Sequence, residues 1–189
     1  MSLDVPGFAD PVLGAQACFR AVLDAMARPG SLHAAGDGLT PPAPLDPATA
    51  AVLLTLVDAE TPLRIADAMA PARDWIGFHC GAPPGGADAG FVLDLAMPRL
   101  GTLNAGSDDA PEDSATLILQ VAALGEGRGF QLAGPGLATP ARLLVDGLPA
   151  DFAAQWAANH ALYPRGVDII LCAGTTLTAL PRSLRITEA

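Results

Sequence analysis

Three short, almost uninterrupted apolar runs limit the folds open to this chain more than any other feature: "GFVLDLA" at 90–96, "SATLILQV" at 114–121 and "VDIILCA" at 167–173. A strand with one wet face alternates apolar and polar residues, whereas a strand apolar at consecutive positions needs cover on both faces. A central sheet buried on two sides is therefore expected. From Thr61 onward the chain reads as short extended runs, with further strands at "TPLRIA", "GFQLAG" (129–134), "ARLLVDG" (141–147) and "LTALPRSLRI" (177–186). "ALGEGRG" at 123–129 reads as a tight turn that makes the runs on either side antiparallel neighbours. Sheet direction is then mixed.

Helices flank these runs. "FADPVLGAQACFRAVLDAMARPG" sets Asp10 as N-cap and Pro11 at the first helical position, with Val12, Phe19, Val22, Leu23 and Met26 on the inward stripe and Pro29–Gly30 as the stop. "LDPATAAVLLTLVD" repeats the device with Asp46 and Pro47, turning Leu53, Leu54 and Val57 inward. "PADFAAQWAANHALYP" places Phe152, Trp156, Asn159 or His160, and Tyr163 at helical spacing. "AAGDGLTPPAP" reads as a loop, and "APPGGADA" at 82–89 as the most flexible insertion. With no internal repeat and no linker, residues 1–189 read as a single three-layer α/β domain.

Lysine is absent, so all ten basic residues are arginines, set against twenty carboxylates. A surface for nucleic acid needs clustered cations, and a formal charge of −10 argues against one. A Schiff-base enzyme and a Walker A loop both require a lysine and are excluded. Cys18, Cys80 and Cys172 form no C-x-x-C pair, which points to reduced thiols rather than a disulfide framework or thiolate zinc site. The first nineteen residues hold no basic residue and no long apolar stretch, and "AVLLTLV" at 51–57 is too short to cross a bilayer. A cytoplasmic protein without a membrane partner is expected. With 51% apolar and 16% charged residues, a subunit that buries surface in an oligomer fits the composition.

The charges at "YPRGVDIILCAGTTLTALPRSLRI", 163–186, form the foremost candidate site: Asp168 enters an apolar strand, and Arg165, Arg182 and Arg185 lie near it in sequence. Burying either sign alone costs several kcal/mol, so mutual pairing, a ligand or a partner chain is expected. Structural pairing is the plainer reading. The sharper one gives Arg182, whose guanidinium fork can hold a carboxylate or phosphonate with two bonds, the leading role, helped by Arg165 and Arg20. Other features read blandly. Arg20 and Asp24 at i, i+4 suggest a surface ion pair. "LAGPGLATP" at 132–140 is a plain turn rather than a phosphate nest, because no helix N-terminus follows it. The carboxylates of "DDAPEDS" at 108–114 depart from the calcium-loop spacing and suit a solvated acidic turn. His33, His79 and His160 show no metal-binding spacing. His79 and Cys80 would diverge on an extended backbone, and His160 reads as a satisfied, partly buried residue.

The ordered set "DPVLGAQACFRAVLDAMARPG", "DAET", "GFHCGA", "PEDSATLIL", "LAGPG", "YPRGVDIIL" and "LPRSLRI" resembles the PhnH family, the H subunit of the bacterial carbon-phosphorus lyase system, from about residue 8 to 186. The resemblance implies a homodimeric α/β/α subunit related in fold to the pyridoxal-phosphate transferases but lacking their cofactor, with which the missing lysine agrees. It further implies an assembly with G, I and J subunits. There the G, H and I components support transfer of an alkylphosphonate to the ribose C1 of ATP with release of adenine, so ATP is a substrate of the complex. The family supplies no catalytic residue for this subunit. Two roles stay open: a structural and docking subunit, or a phosphonate- or nucleotide-binding subunit with Arg182, Arg165, Arg20 and Asp168 at its dimer cleft. A free-standing hydrolase using Cys172 or Asp168 ranks last.

Overall fold

The computed structural model describes residues 5–189. The elements run α1 (Pro11–Ala27), β1 (His33–Ala34), α2 (Pro47–Leu56), β2 (Leu63–Ile65), a 3-10 turn (Asp67–Ala72), α3 (Arg73–Cys80), β3 (Phe91–Asp94), β4 (Thr116–Gln120), β5 (Ala123–Ala133), β6 (Ala141–Asp146), α4 (Phe152–His160), β7 (Asp168–Ala173), β8 (Thr176–Leu180) and β9 (Arg185–Glu188). The protein is mixed α/β. Six strands form one sheet in the order β1-β8-β7-β4-β3-β2, and β6-β5-β9 form a second. Strands β2, β3, β4 and β7 are parallel, while β8 runs antiparallel to β7 and β1 to β8. The expected mixed direction is present.

The apolar runs sit where two-sided burial demands. Successive residues of a strand face opposite sides. Accordingly Leu93, Ile118, Ile170 and Cys172 join one core with α1, α2 and α3. Val92, Leu117, Leu119, Ile169 and Leu171 join another with Phe152 and Trp156 of α4 and with Phe130, Leu143 and Ile186 of the small sheet.

Several local expectations are corrected. "ALGEGRG" is not a turn between sheet neighbours: it is the bulged first half of β5, which pairs with β6 and β9, whereas β4 pairs with β3 and β7. "LTALPRSLRI" is not one strand, because Pro181 lacks the amide a ladder needs and the chain turns there from β8 to β9 in the other sheet. The extended reading beyond Thr61 is interrupted by α3, so His79 and Cys80 are helical neighbours. The 82–89 insertion is tied down, since Leu63 donates to the Pro83 carbonyl at 3.0 Å and Gly85 to the Leu63 carbonyl at 2.9 Å.

Helix α1 has the expected cap, Asp10 accepting from the Val12 and Leu13 amides at 3.0 Å, and Val22 and Met26 face the core as expected, but small residues make up the rest of the inward stripe. Its buried residues are Cys18, Ala21, Val22 and Ala25, while Val12, Leu13, Phe19 and Leu23 are 75, 62, 51 and 57% exposed. Both stripes keep helical spacing. The small one lets α1 approach Ala48, Ala50 and Ala51 of α2 closely, and dense packing outweighs side-chain size. Tyr163 likewise ends exposed instead of joining Trp156.

At the carboxyl ends of β4 and β7, where open α/β sheets commonly take ligands, polar groups find partners within the chain. Gln120 Oε1 accepts from the Asp46 amide and the Thr49 hydroxyl at 2.8 Å each, and Nε2 donates to the Pro44 carbonyl at 2.8 Å. Asp46 stands at the α2 N-cap without capping it; its carboxylate accepts from the Gly174 amide at 2.8 Å. Gln120→Leu strands these partners and lowers unfolding stability by about 2–4 kcal/mol, read by urea titration.

Candidate functional site

The amino edge of β7 carries the charged cluster. In the β7–β8 hairpin Ile169 pairs with Leu180, so the chain leaving β8 past Pro181 delivers Arg182 beside Asp168. The Arg182 amide donates to Asp168 Oδ1 at 2.6 Å, and its Nε and Nη2 donate to Oδ2 at 3.1 and 2.6 Å. Nη1 donates to the Pro111 carbonyl at 2.8 Å. The side chains are only 17 and 18% exposed. Both guanidinium donors thus converge on one carboxylate oxygen while the backbone amide takes the other, and in this setting the charge-assisted pair is strong and each charge satisfies the other.

Arg165 stands close by. Its Nε lies 2.8 Å from Asp108 Oδ1, but the N–H is not aimed at the carboxylate, so the contact is ionic rather than an aligned hydrogen bond. Asp108 is 84% exposed, which leaves this pair weak. The acidic stretch therefore does more than sit in solvent: Asp108 meets Arg165, and the Pro111 carbonyl meets Arg182. Beneath them Asn159 clamps the start of β7, donating to the Val167 carbonyl at 2.9 Å and accepting from its amide at 2.8 Å. Asn159 was legible only as one of two residues at a core-facing helical position, and the Pro111 carbonyl carried no sequence signal.

Arg20 does not join this cluster. It lies on α1, exposed and without an ion-pair partner among the described residues. The expected Arg20–Asp24 pair is not formed either, because Asp24 instead meets Arg28 one turn later at 3.0 Å. Of the four candidates, Arg182, Asp168 and Arg165 come together and Arg20 stays apart.

The remaining reactive groups are held inactive by burial. Desolvation raises the thiol pKa of all three cysteines: Cys80 is pushed up to about 11, Cys172 lies far above the ordinary range, and Cys18 is raised despite a hydrogen bond to Thr55 that lowers it. Such thiols stay protonated at neutral pH and are poor nucleophiles, which counts against a hydrolase built on Cys172. Asp168, the other nucleophile considered, is occupied by Arg182. His79 is packed at 4.5 Å from Trp75, and its Nε2 meets the Val5 carbonyl at 3.1 Å. Among the described residues no group of three or more His, Cys, Asp or Glu side chains is placed to hold a metal ion.

The charged cluster and the Gln120 knot are thus polar groups matched inside the chain at the ends of strands of a mixed sheet. Residues 6–187 match the family described as "Bacterial phosphonate metabolism protein (PhnH)". The chain is 38% identical over 188 residues to "Alpha-D-ribose 1-methylphosphonate 5-triphosphate synthase subunit PhnH" of Rhizobium meliloti (strain 1021), covering 95% of this chain and 93% of that protein. It is 31% identical over 177 residues to "Putative C-P lyase subunit protein HtxG" of Stutzerimonas stutzeri, covering 90% and 85%. The chain belongs to the PhnH family.

Three outcomes follow from the site. Arg182→Ala leaves the Asp168 carboxylate without its cation and lowers stability by roughly 2–3 kcal/mol in denaturant titration, less than for a fully buried pair. Native thiols stay unreactive to a disulfide reagent at about pH 8 and react fully once unfolded. Because Cys80 is raised from 9.0 to about 11, its share of stability is intact below pH 9 and falls as pH climbs through that interval. An alkaline stability profile checks this.

Proposed function

We propose that the chain acts as the H-type subunit of a multi-subunit phosphonate-degrading assembly, contributing shape and docking surface to the transfer of an alkylphosphonate to the ribose C1 of ATP with release of adenine. The full-length likeness to a ribose methylphosphonate triphosphate synthase subunit carries this reading. The saturated Arg182–Asp168 pair and the protonated thiols support a non-catalytic role, with bond making left to companion subunits of the G, I and J types. Pyridoxal phosphate has no lysine to join, and ATP enters as a substrate of the whole assembly. The reading includes a three-layer, transferase-like single domain working in the cytoplasm; the helices and small sheet covering the two faces of the six-stranded sheet support the layering, and among the described residues no helix is long and apolar enough to cross a membrane.

A homodimer completes the proposal, paired through the outer face of α1. Val12, Leu13, Phe19 and Leu23 give an apolar centre there, with Arg20 and Asp24 beside it. A patch with both charge signs around an apolar middle can match a second copy of itself across a two-fold axis. Capture of a phosphonate or nucleotide at the dimer cleft through Arg182 and Arg165 requires displacing Asp168 and Asp108, so docking is favoured.

Co-expression with the companion subunits should retain this chain through purification, and omitting it should abolish phosphonate ribosyl transfer; full transfer without it overturns the role. Phe19→Glu with Leu23→Glu should convert a dimer to a monomer in sedimentation equilibrium while circular dichroism stays unchanged. A dimer that survives both substitutions places the interface elsewhere.

A further inference from the structure

His160 closes α4 and aims Nδ1 at the backbone carbonyl of Arg182, 3.1 Å away. A carbonyl only accepts, so Nδ1 carries the hydrogen, and in the neutral tautomer this selects the lone pair is on Nε2. Nε2 has no hydrogen-bond partner among the described residues. The ring borders a cavity of about 390 Å³ completed by Ser183, Arg185 and the Ala133–Gly134–Pro135 corner. Unlike Arg28, Arg128, Arg165 and Arg182, Arg185 forms no ion pair among the described residues. None of the chain's carboxylates lines this cavity, although they outnumber its arginines two to one.

The walls are rigid. Ala133 pairs with Arg185 across β5 and β9, which fixes the corner against the start of β9. Gly134 has φ of 142°, and a Cβ there would stand 3.3 Å from the Ser183 carbonyl, so bare backbone is what lets the corner approach the Ser183–Leu184 segment this closely. Side chains bearing a guanidinium, a hydroxyl and an imidazole thus border one small space. The first two donate and the third accepts.

We propose that this cavity binds a singly protonated phosphate or phosphonate group: Arg185 and Ser183 donate to its anionic oxygens while its P–OH donates to His160 Nε2. The chemistry is selective. Sulfate offers the same tetrahedral oxygens but no O–H, so facing the neutral ring it sets an oxygen lone pair against that of Nε2 and binds less well. The site lies apart from the Arg182–Asp168 pair, and it depends on the subunit reading only for which phosphorus compound occupies it in the cell.

The full chain is titrated at about pH 7, where a phosphoryl group keeps part of its last proton, with methylphosphonate, ATP and sulfate in separate arms. The readout is the two-bond 1H–15N spectrum of its three histidines, with His160→Gln assigning the His160 signals. Expected is a shift at His160 Nε2 with a phosphorus ligand and little with sulfate, weakened about tenfold or more by Arg185→Ala and partly restored by Arg185→Lys. Tighter methylphosphonate names the phosphonate as occupant, and tighter ATP names the nucleotide phosphate. No His160 shift with either phosphorus ligand, an equal shift with sulfate, or indifference to Arg185→Ala overturns the proposal. Co-purification of the same variants with companion subunits separates the two readings. A chain that assembles but binds no phosphorus ligand loses the cavity and keeps its subunit role; one that binds but does not assemble does the reverse.

Discussion

Covering β4 and β7 on both faces is the constraint from which the other features follow. Leu117, Ile118, Leu119, Ile169, Ile170 and Leu171 are essentially removed from water, each side of the sheet taking alternate residues. At 20–33 cal/mol per Å² of apolar surface, this burial favours folding strongly, but it leaves strand ends whose polar groups must find partners inside the protein. Gln120 answers that demand at the carboxyl end of β4, and Asp168 with Arg182 answers it at the amino end of β7. The two polar knots are physically alike: each seals one edge of the same sheet.

The short segment from Pro181 to Arg185 carries more consequence than its length suggests. It takes the chain from the six-stranded sheet into the three-stranded one, and two side chains of α4 hold it in place. Trp156 Nε1 donates to the Leu184 carbonyl at 2.8 Å, and His160 Nδ1 to that of Arg182 at 3.1 Å. One side of this joint is the ion pair; the other is the cavity bordered by His160, Ser183 and Arg185. A single connection therefore gives two nearby arginines different surroundings: Arg182 is paired with Asp168, whereas Arg185 has no ion-pair partner among the described residues.

Surface character follows from the same packing. Alanine-lined contact between α1 and α2 leaves the larger residues of α1 pointing outward, an arrangement suited to a subunit that finishes its burial against another chain. Buried protonated thiols and a saturated carboxylate remove the usual nucleophiles from the interior.

Continuous apolar runs, proline-led helix starts and the absence of lysine were sufficient, read from the sequence, to set the α/β class, the mixed sheet, three of the four helices and the chemistry a lysine-free chain cannot perform. They also marked Asp168 and Arg182, because a charge within an apolar run has to be answered. Only the tertiary structure decided which stripe of α1 faces inward, that β5 leaves β4 for a second sheet, that Asp24 turns to Arg28, and that Arg182 rather than Arg185 meets Asp168. Spacing along a chain specifies which residues share a face, but the choice between two equivalent faces, or between two arginines three residues apart, depends on contacts with segments distant in sequence.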